Sequence, residues 1–459
     1  MAMARSTRSI ITPLNGPRAA LAALPRLAQP LQEFLSTEAA GGLLLLAATA
    51  GALVWANLPS HSYGDLWGAH AGIDLNRLQI DEPLRAWVND GLMTVFFFVV
   101  GLEIKRELLR GELAGRRRAA LPVAAALGGM VVPAMIYLAL NAGRAGEHGW
   151  GIPMATDIAF AVGALALLGR RVPLSLKVFL LALAIVDDLG AIAVIALFYT
   201  GDISAGWLLT AVALLAGTLV LQRAGVRHLL PYAAIGVAAW LAMHQSGVHA
   251  TIAGVAMGLL TPSRPYADGA ALEGSAGSLV GEYQAARARG TRAGDDESRA
   301  ALRALENLSR DTRSPLDRLE HTLHPWSSYL IVPLFALANA GIAIDGAVVH
   351  DAVRSPVTAG VALGLVAGKP LGIVLFSWLA VRAGVAALPD GVRWPQLVGA
   401  AIVAGIGFTV SLFISGLAFS DPALADEARI GILAGSALMA VAGLAFLRSV
   451  LRDREGEQG

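Results

Sequence analysis

Runs of roughly 20 apolar residues recur along almost the whole of this chain, and no other feature constrains its fold as tightly. Wound as an α-helix at about 1.5 Å per residue, such a run spans the roughly 30 Å hydrocarbon core of a bilayer. Only 15% of the 459 residues are Asp, Glu, Lys or Arg, whereas a soluble domain carries about 25%. With 56% apolar residues and a mean hydropathy of +0.61, the sequence predicts an all-α polytopic membrane protein. A disulfide scaffold, a disordered chain and a nucleic-acid-binding module are excluded. The absence of Cys removes disulfides, thiolate nucleophiles and cysteine metal sites. No cleavable signal peptide is expected, because the first strongly apolar run begins near Ala39, after a segment with four Arg and four Pro.

Twelve spans are expected, near Ala39 to Leu58, Asp90 to Ile104, Ala119 to Asn141, Ile152 to Leu168, Leu174 to Tyr199, Gly206 to Leu221, Leu229 to Met243, Val248 to Leu260, Tyr329 to Ile344, Val357 to Val381, Leu397 to Phe419 and Ile430 to Phe446. Their connecting loops alternate in basic content: 29 Lys and Arg fall on one side and 5 on the other, or 20 against 5 without the longest loop. Cytoplasmic loops are the basic ones, so both termini are expected in the cytoplasm. The divisions are then a cytoplasmic N-terminal segment 1–38, spans one to eight in 39–262, a cytoplasmic polar loop 263–325, spans nine to twelve in 326–447, and a cytoplasmic tail 448–459. The loop reads as a solvated linker in which Glu297 to Arg310 could form a surface helix. The net charge of +1 is uninformative, since the placement of charge along the chain is what matters.

Of the 35 basic side chains, Lys369 alone falls in neither set of loops; it sits mid-span in Leu365-Val-Ala-Gly-Lys-Pro-Leu-Gly-Ile373. The deep acids are Asp157 and the adjacent pair Asp187 and Asp188. A charge at the bilayer centre costs roughly 2.5 to 3.5 kcal/mol on insertion scales, so such residues mark function. Neighbours on a helix point about 100° apart, so one aspartate can meet a cation while the other meets Lys369. The alternative readings are that Lys369 is a structural counter-ion, and that Asp157, beside Thr156, caps a half-helix. Two spans look interrupted: the fourth, with Gly151, Pro153 and Thr156 ahead of Asp157, and the eleventh, with Ala404-Gly-Ile-Gly-Phe-Thr-Val410. Interrupted segments in corresponding halves, here spans three to five and ten to twelve, point to a transporter binding site, although Gly-X-Gly also serves close helix packing.

The chain resembles the NhaA-type sodium/proton antiporters through Val100-Gly-Leu-Glu-Ile-Lys-Arg-Glu-Leu108, Ala155-Thr-Asp-Ile-Ala-Phe160, Ala184-Ile-Val-Asp-Asp-Leu-Gly-Ala191, Ser246-Gly-Val-His-Ala-Thr251, Arg318-Leu-Glu-His-Thr-Leu-His-Pro-Trp326 and Gly368-Lys-Pro-Leu-Gly372. The resemblance implies inverted structural repeats and two crossed, discontinuous helices, spans four and eleven, an architecture of which this family is itself a standing example. It implies Na+ at Asp188, the main ligand, and at Asp187, which also partners Lys369, with Thr156 and Asp157 at the crossing. It further implies a pH-sensing region of Glu103, Glu107, Arg318 and His324, with His249 matching a histidine linked to pH response. For Glu103 and Glu107 the alternative is ordinary i, i+4 surface pairing amid Lys105 and Arg106, and His324 and His249 are the interfacial histidines of the same alternative. Asp317 stands where a lysine is expected, Ser309 stands at a polar or acidic position, and the loop before Arg310 is longer than in the family; these departures bear on the pH profile.

The expected function is secondary antiport of cytoplasmic Na+ or Li+ against external H+, pH-regulated and electrogenic, with no cofactor and no enzyme activity. It serves sodium and pH homeostasis in a bacterial inner membrane. Membrane lipid and a second copy of the chain, by resemblance, are the expected partners. A sodium-coupled symporter of an organic acid is the nearest rival, though Lys369 is the only deep cation available to an organic ligand. An intramembrane aspartyl protease is the other, and Gly405-Ile-Gly-Phe408 lacks the Asp of its Gly-X-Gly-Asp motif.

Overall fold

The computed structural model describes residues 17–59, 61–75, 78–265 and 269–456, which are mostly helical (81%). In chain order the helices are α1 (Pro17–Ala56) and α2 (Ser62–Gly68), then an antiparallel hairpin of β1 (His70–Leu75) and β2 (Leu78–Pro83), then α3 (Leu84–Arg110) and α4 (Arg116–Asn141). A 3₁₀ segment, Glu147–Met154, leads into α5 (Ile158–Leu167), followed by α6 (Leu174–Phe198), α7 (Ala205–Arg223), α8 (Leu229–Gln245) and α9 (Thr251–Leu260). After these come α10 (Gly269–Ala288), α11 (Arg292–Asp311), α12 (Pro315–Trp326), α13 (Val332–Asn339), α14 (Gly346–Arg354), α15 (Pro356–Arg382), α16 (Trp394–Ala404), α17 (Phe408–Ala418) and α18 (Pro422–Gly456).

Among the described residues eight helical stretches are long and apolar enough to cross a membrane, and a ninth is the α16–α17 pair, bent by 43°. The other three expected spans fall on α8, on the 10-residue α9, and on α13 with the turn before it. Exposed Leu and Val side chains line the outer faces of α1, α7 and α8, while the acids and Lys369 are inside. This is the inverse of a soluble bundle and suits a lipid surround.

Without a hydrophobic drive between helices in lipid, close approach comes from small residues. A Cβ at Gly128 of α4 would sit 2.1 Å from the Gly372 carbonyl oxygen of α15, and one at Gly372 would sit 2.0 Å from that of Gly128. The α3–α9 crossing is built alike, with Gly101 against Val255 and Gly258 against Phe98. These contacts hold α15, which carries Lys369, against α4, and α3, which carries Glu103, against α9.

Three π turns interrupt otherwise helical stretches: Trp87–Leu92 in α3, Ser327–Ile331 between α12 and α13, and Gly364–Gly368 in α15. Two of them directly precede a Val332-Pro333 or Lys369-Pro370 pair, where the proline lacks an N–H and its ring crowds the preceding turn. The widened turn accommodates the ring. All three lie beside polar side chains that recur below, Asp90, Ser328 and Lys369.

The 263–325 segment is more ordered than a linker. Helix α11, which contains the expected Glu297 to Arg310 stretch, folds back on α10 as a hairpin, and Arg289 Nη1 meets Glu297 Oε2 at 2.8 Å. Arg5 and Arg8, and the side chain of Ser309, lie outside what is described.

Candidate ion-binding site

The two interrupted spans meet, and each satisfies the other's broken backbone. Past the 3₁₀ segment the chain runs extended through Ala155 to Asp157 before α5 begins, and Gly405 to Gly407 separate α16 from α17. Apolar surroundings offer no water to these freed groups. The Asp157 amide donates to the Ile406 carbonyl at 2.7 Å, Thr156 Oγ1 to the Ala404 carbonyl at 3.0 Å, and Ser411 Oγ to the Ile152 carbonyl at 2.7 Å.

Asp157 lies between two helix N-termini, whose exposed N–H groups carry partial positive charge. Its Oδ1 accepts from the Phe160 amide at 3.0 Å and so caps α5; its Oδ2 accepts from the Thr409 amide at 3.0 Å and the Thr409 hydroxyl at 2.6 Å. The capping geometry weighed for Asp157 is therefore present, and it extends to a second helix. Lys369 has the opposite task. Its ammonium donates to the Met154 carbonyl, where the 3₁₀ segment ends in partial negative charge, and to Asp187 Oδ2 at 2.5 Å. Lys369 is 0% exposed and Asp187 1%, so the pair is wholly desolvated.

Asp188 is turned away from this pair, as the 100° step requires. It is 3% exposed, its Oδ1 has no hydrogen-bond partner among the described residues, and it faces a cavity of about 40 Å³ shared with Asp157, Thr156 and Thr409. Room for a water or a small cation exists there. Asp187 and Lys369 do not line the cavity. The structure thus brings Asp157, Thr156 and Asp188 to one void and sets the Asp187–Lys369 pair behind it.

The cavity reaches a second group of titratable side chains. His324 Nε2 lies 2.8 Å from Glu38 Oε1 and 3.8 Å from Glu103 Oε1, and Ser328 Oγ donates to Glu38 Oε1 at 2.8 Å. Burial works against a charged His324, but the Glu38 hydrogen bond and the fields of Glu103, Glu38 and Glu320 outweigh it and raise its pKa above the usual 6.5. Glu320 is paired with Arg106, and burial raises its carboxyl pKa despite the lowering influence of Arg106 and His324. Glu107 lies 3.5 Å from Arg106 and accepts the Glu112 amide at 3.1 Å. Arg110 meets Asp317 at 2.9 Å, so the acid found where a lysine was expected has a basic partner. Arg318 is half-buried and enters no ion pair among the described residues.

His249 lies apart from this group, near the other end of α3. Its Nε2 donates to the Tyr199 carbonyl at 2.6 Å. Sequence reasoning missed Glu38, Glu320, Thr409 and Asp90. Glu38 and Asp90 were legible as acids at the start of apolar spans. Thr409 was visible inside the interrupted Gly-Ile-Gly-Phe-Thr segment, but its partnership with Asp157 was not.

The chain is similar over most of its length to known proteins. A protein of Oleidesulfovibrio alaskensis described as the Na(+)/H(+) antiporter NhaA is 48% identical over 445 residues, covering 96% of this chain and 98% of the relative. One from Sorangium cellulosum, Na(+)/H(+) antiporter NhaA 2, is 50% identical over 434 residues, covering 94% and 92%. Another from Rhodopirellula baltica, Na(+)/H(+) antiporter NhaA, is 48% identical over 427 residues, covering 92% and 94%. The profile of the family described as Na+/H+ antiporter 1 matches residues 32–447, and the chain belongs to that family.

Proposed function

We propose that the protein exchanges cytoplasmic Na+, or Li+, for external protons, and that Asp188 is the cation ligand with Thr156 and Asp157 completing the oxygen-rich side of the site. The observation that carries this reading is the asymmetry of the aspartates: one is neutralised by Lys369, and its neighbour presents a free carboxylate oxygen to a small polar void. Hard cations select oxygen donors. A carboxylate in such a void holds a cation or a proton in competition, and that competition couples the two fluxes.

Asp157, bonded to both half-helices, acts first as the fastener of the crossing, and the expected twelve spans, inverted repeats and crossed broken helices form the frame that rocks around it. Lys369 releases or retains its proton according to the charge on Asp187, so more than one proton can move per cation. Each net charge then draws about 2.3 kcal/mol per 100 mV from the membrane potential. The Glu38, Glu103, Glu320 and His324 group, on the side with the basic loops, is assigned to pH regulation. The reading includes a bacterial inner membrane, cytoplasmic termini and a homodimer. The rivals gain nothing from the site: among the described residues no Lys or Arg lines the cavity for an organic acid, and Asp187, paired with Lys369, does not line it.

The test is collapse of an imposed pH gradient in proteoliposomes on adding Na+, Li+, K+ or choline. Na+ and Li+ should collapse it through wild type, while K+ and choline do not and Asp188→Asn is silent. A gradient untouched between pH 6 and 9 in folded wild type rejects exchange and moves the organic-acid symporter forward.

A further inference from the structure

A second and larger cavity, of about 330 Å³, lies between the π turn of α3, the α8–α9 corner and the end of α17. Its polar wall is Asp90 and Asn89 on one side and His244 and His249 on the other, and its apolar floor is Phe413. Asp90 Oδ2 stands 4.0 Å from His244 Nδ1, and both side chains are accessible, at 29% and 25%. The pair is fixed from behind: Trp240 Nε1 donates to the Asp90 carbonyl at 3.1 Å, and the His244 ring stacks on Trp240 at 6.0 Å. A void of this size with several polar groups accepts water.

Phe413 lines this cavity, and Thr409 and Val410, about one turn before it on α17, line the ion-binding void. The Phe413 ring packs on Phe97 at 5.3 Å and on Phe335 at 6.2 Å between centroids. Thr409, which holds Asp157, precedes it by one turn on the same helix, about 5.4 Å along the axis. Asp90 and Glu103 are 13 positions apart on α3, about 20 Å, so the two cavities open toward opposite ends of the molecule. The sparsely basic loops place the Asp90 end outside.

We propose that Asp90 and His244 form the external proton-accepting site of the transporter, which loads protons from outside before a path past Phe413 opens toward Asp188. The inference rests on the exchange reading above. The pair is a carboxylate and an imidazole, both partly exposed and facing one cavity. The remaining titratable groups whose fields reach Asp90 are His249, committed to Tyr199, and Glu82 of the hairpin; α17 contributes none.

The experiment uses right-side-out proteoliposomes of the full chain, oriented by protease access to the 263–325 segment. They are loaded with Na+ at fixed internal pH, and efflux is followed as external pH is varied. Asp90→Asn deprives His244 of its carboxylate and should shift the external-pH profile toward acid by at least about 0.5 unit. His244→Gln removes the cationic partner of Asp90 and should shift it toward alkali by a similar amount. The internal Na+ half-saturation should stay within about twofold of wild type in both. Profiles that overlay wild type, shifts of the same sign, or an equal change in internal Na+ half-saturation overturn the assignment. A wild type that exchanges nothing overturns the underlying reading instead.

Discussion

The Lys369–Asp187 pair sets a measurable thermodynamic signature. Both side chains are 0% exposed and 2.5 Å apart, so deleting one partner strands the other in low dielectric, a loss of about 3–5 kcal/mol, whereas deleting both is close to neutral. Lys369 also serves the Met154 carbonyl, and an orphaned buried acceptor costs about 1–3 kcal/mol. Lys369→Met and Asp187→Asn should therefore each destabilise strongly, and the double variant should recover most of the loss except the Met154 share. Additive single losses would come to about 6–10 kcal/mol, against about 1–3 kcal/mol left in the double variant, so the expected coupling is at least about 3 kcal/mol, more than about 100-fold in the folded-to-unfolded ratio. Asp188→Asn is the contrasting case: with no basic partner to strand, it should leave stability unchanged or raised by about 1 kcal/mol while abolishing exchange. Reversible unfolding in mixed detergent micelles, with melting temperature as a second readout, measures all four. Additivity of the two single losses within about 0.5 kcal/mol would refute the claim that the pair acts as one buried unit.

Alanine at Gly128 or Gly372 places a Cβ near 2 Å from backbone across the α4–α15 crossing; overpacking of that kind costs about 1–3 kcal/mol, so both melting temperatures should fall while Gly217→Ala, with nothing within 4 Å, does not. Thr409→Val removes the 2.6 Å hydroxyl bond to Asp157, worth about 1.5–3 kcal/mol to a charged acceptor; Na+ half-saturation should rise by about tenfold or more, and Thr409→Ser should restore it. The raised His324 stabilises fully below its unfolded value near 6.5 and loses that contribution as pH rises through its folded value, so the advantage of wild type over His324→Gln in melting temperature should shrink on going alkaline.

Much of the frame was legible because the bilayer imposes length and polarity on each element. The apolar runs gave the helices, the isolation of Lys369 in the charge count gave the deep cation, and Gly405, Gly407 and Pro153 gave the two breaks. The 100° step between Asp187 and Asp188 by itself requires divergent roles. The helical hairpin of α10 and α11 was less legible, since a charged loop and a charged surface helix share a composition, and the π turns follow from prolines only in two of three cases.

The chain by itself determined that three acids and one lysine lie in the membrane, since their insertion cost has to be offset by function or pairing. Residue spacing left open which aspartate the lysine takes, and the resemblance assigned it Asp187. The tertiary structure sets Asp187 against Lys369 and leaves Asp188 open, and it alone decided that Asp157 spans two helix N-termini through Thr409 and that Glu38, Glu103 and His324, 286 positions apart at their extremes, share one cavity. These are relations between distant segments. Sequence fixes the face a side chain occupies on its own helix, whereas the partner across that face is set by how glycine-mediated crossings bring other helices against it.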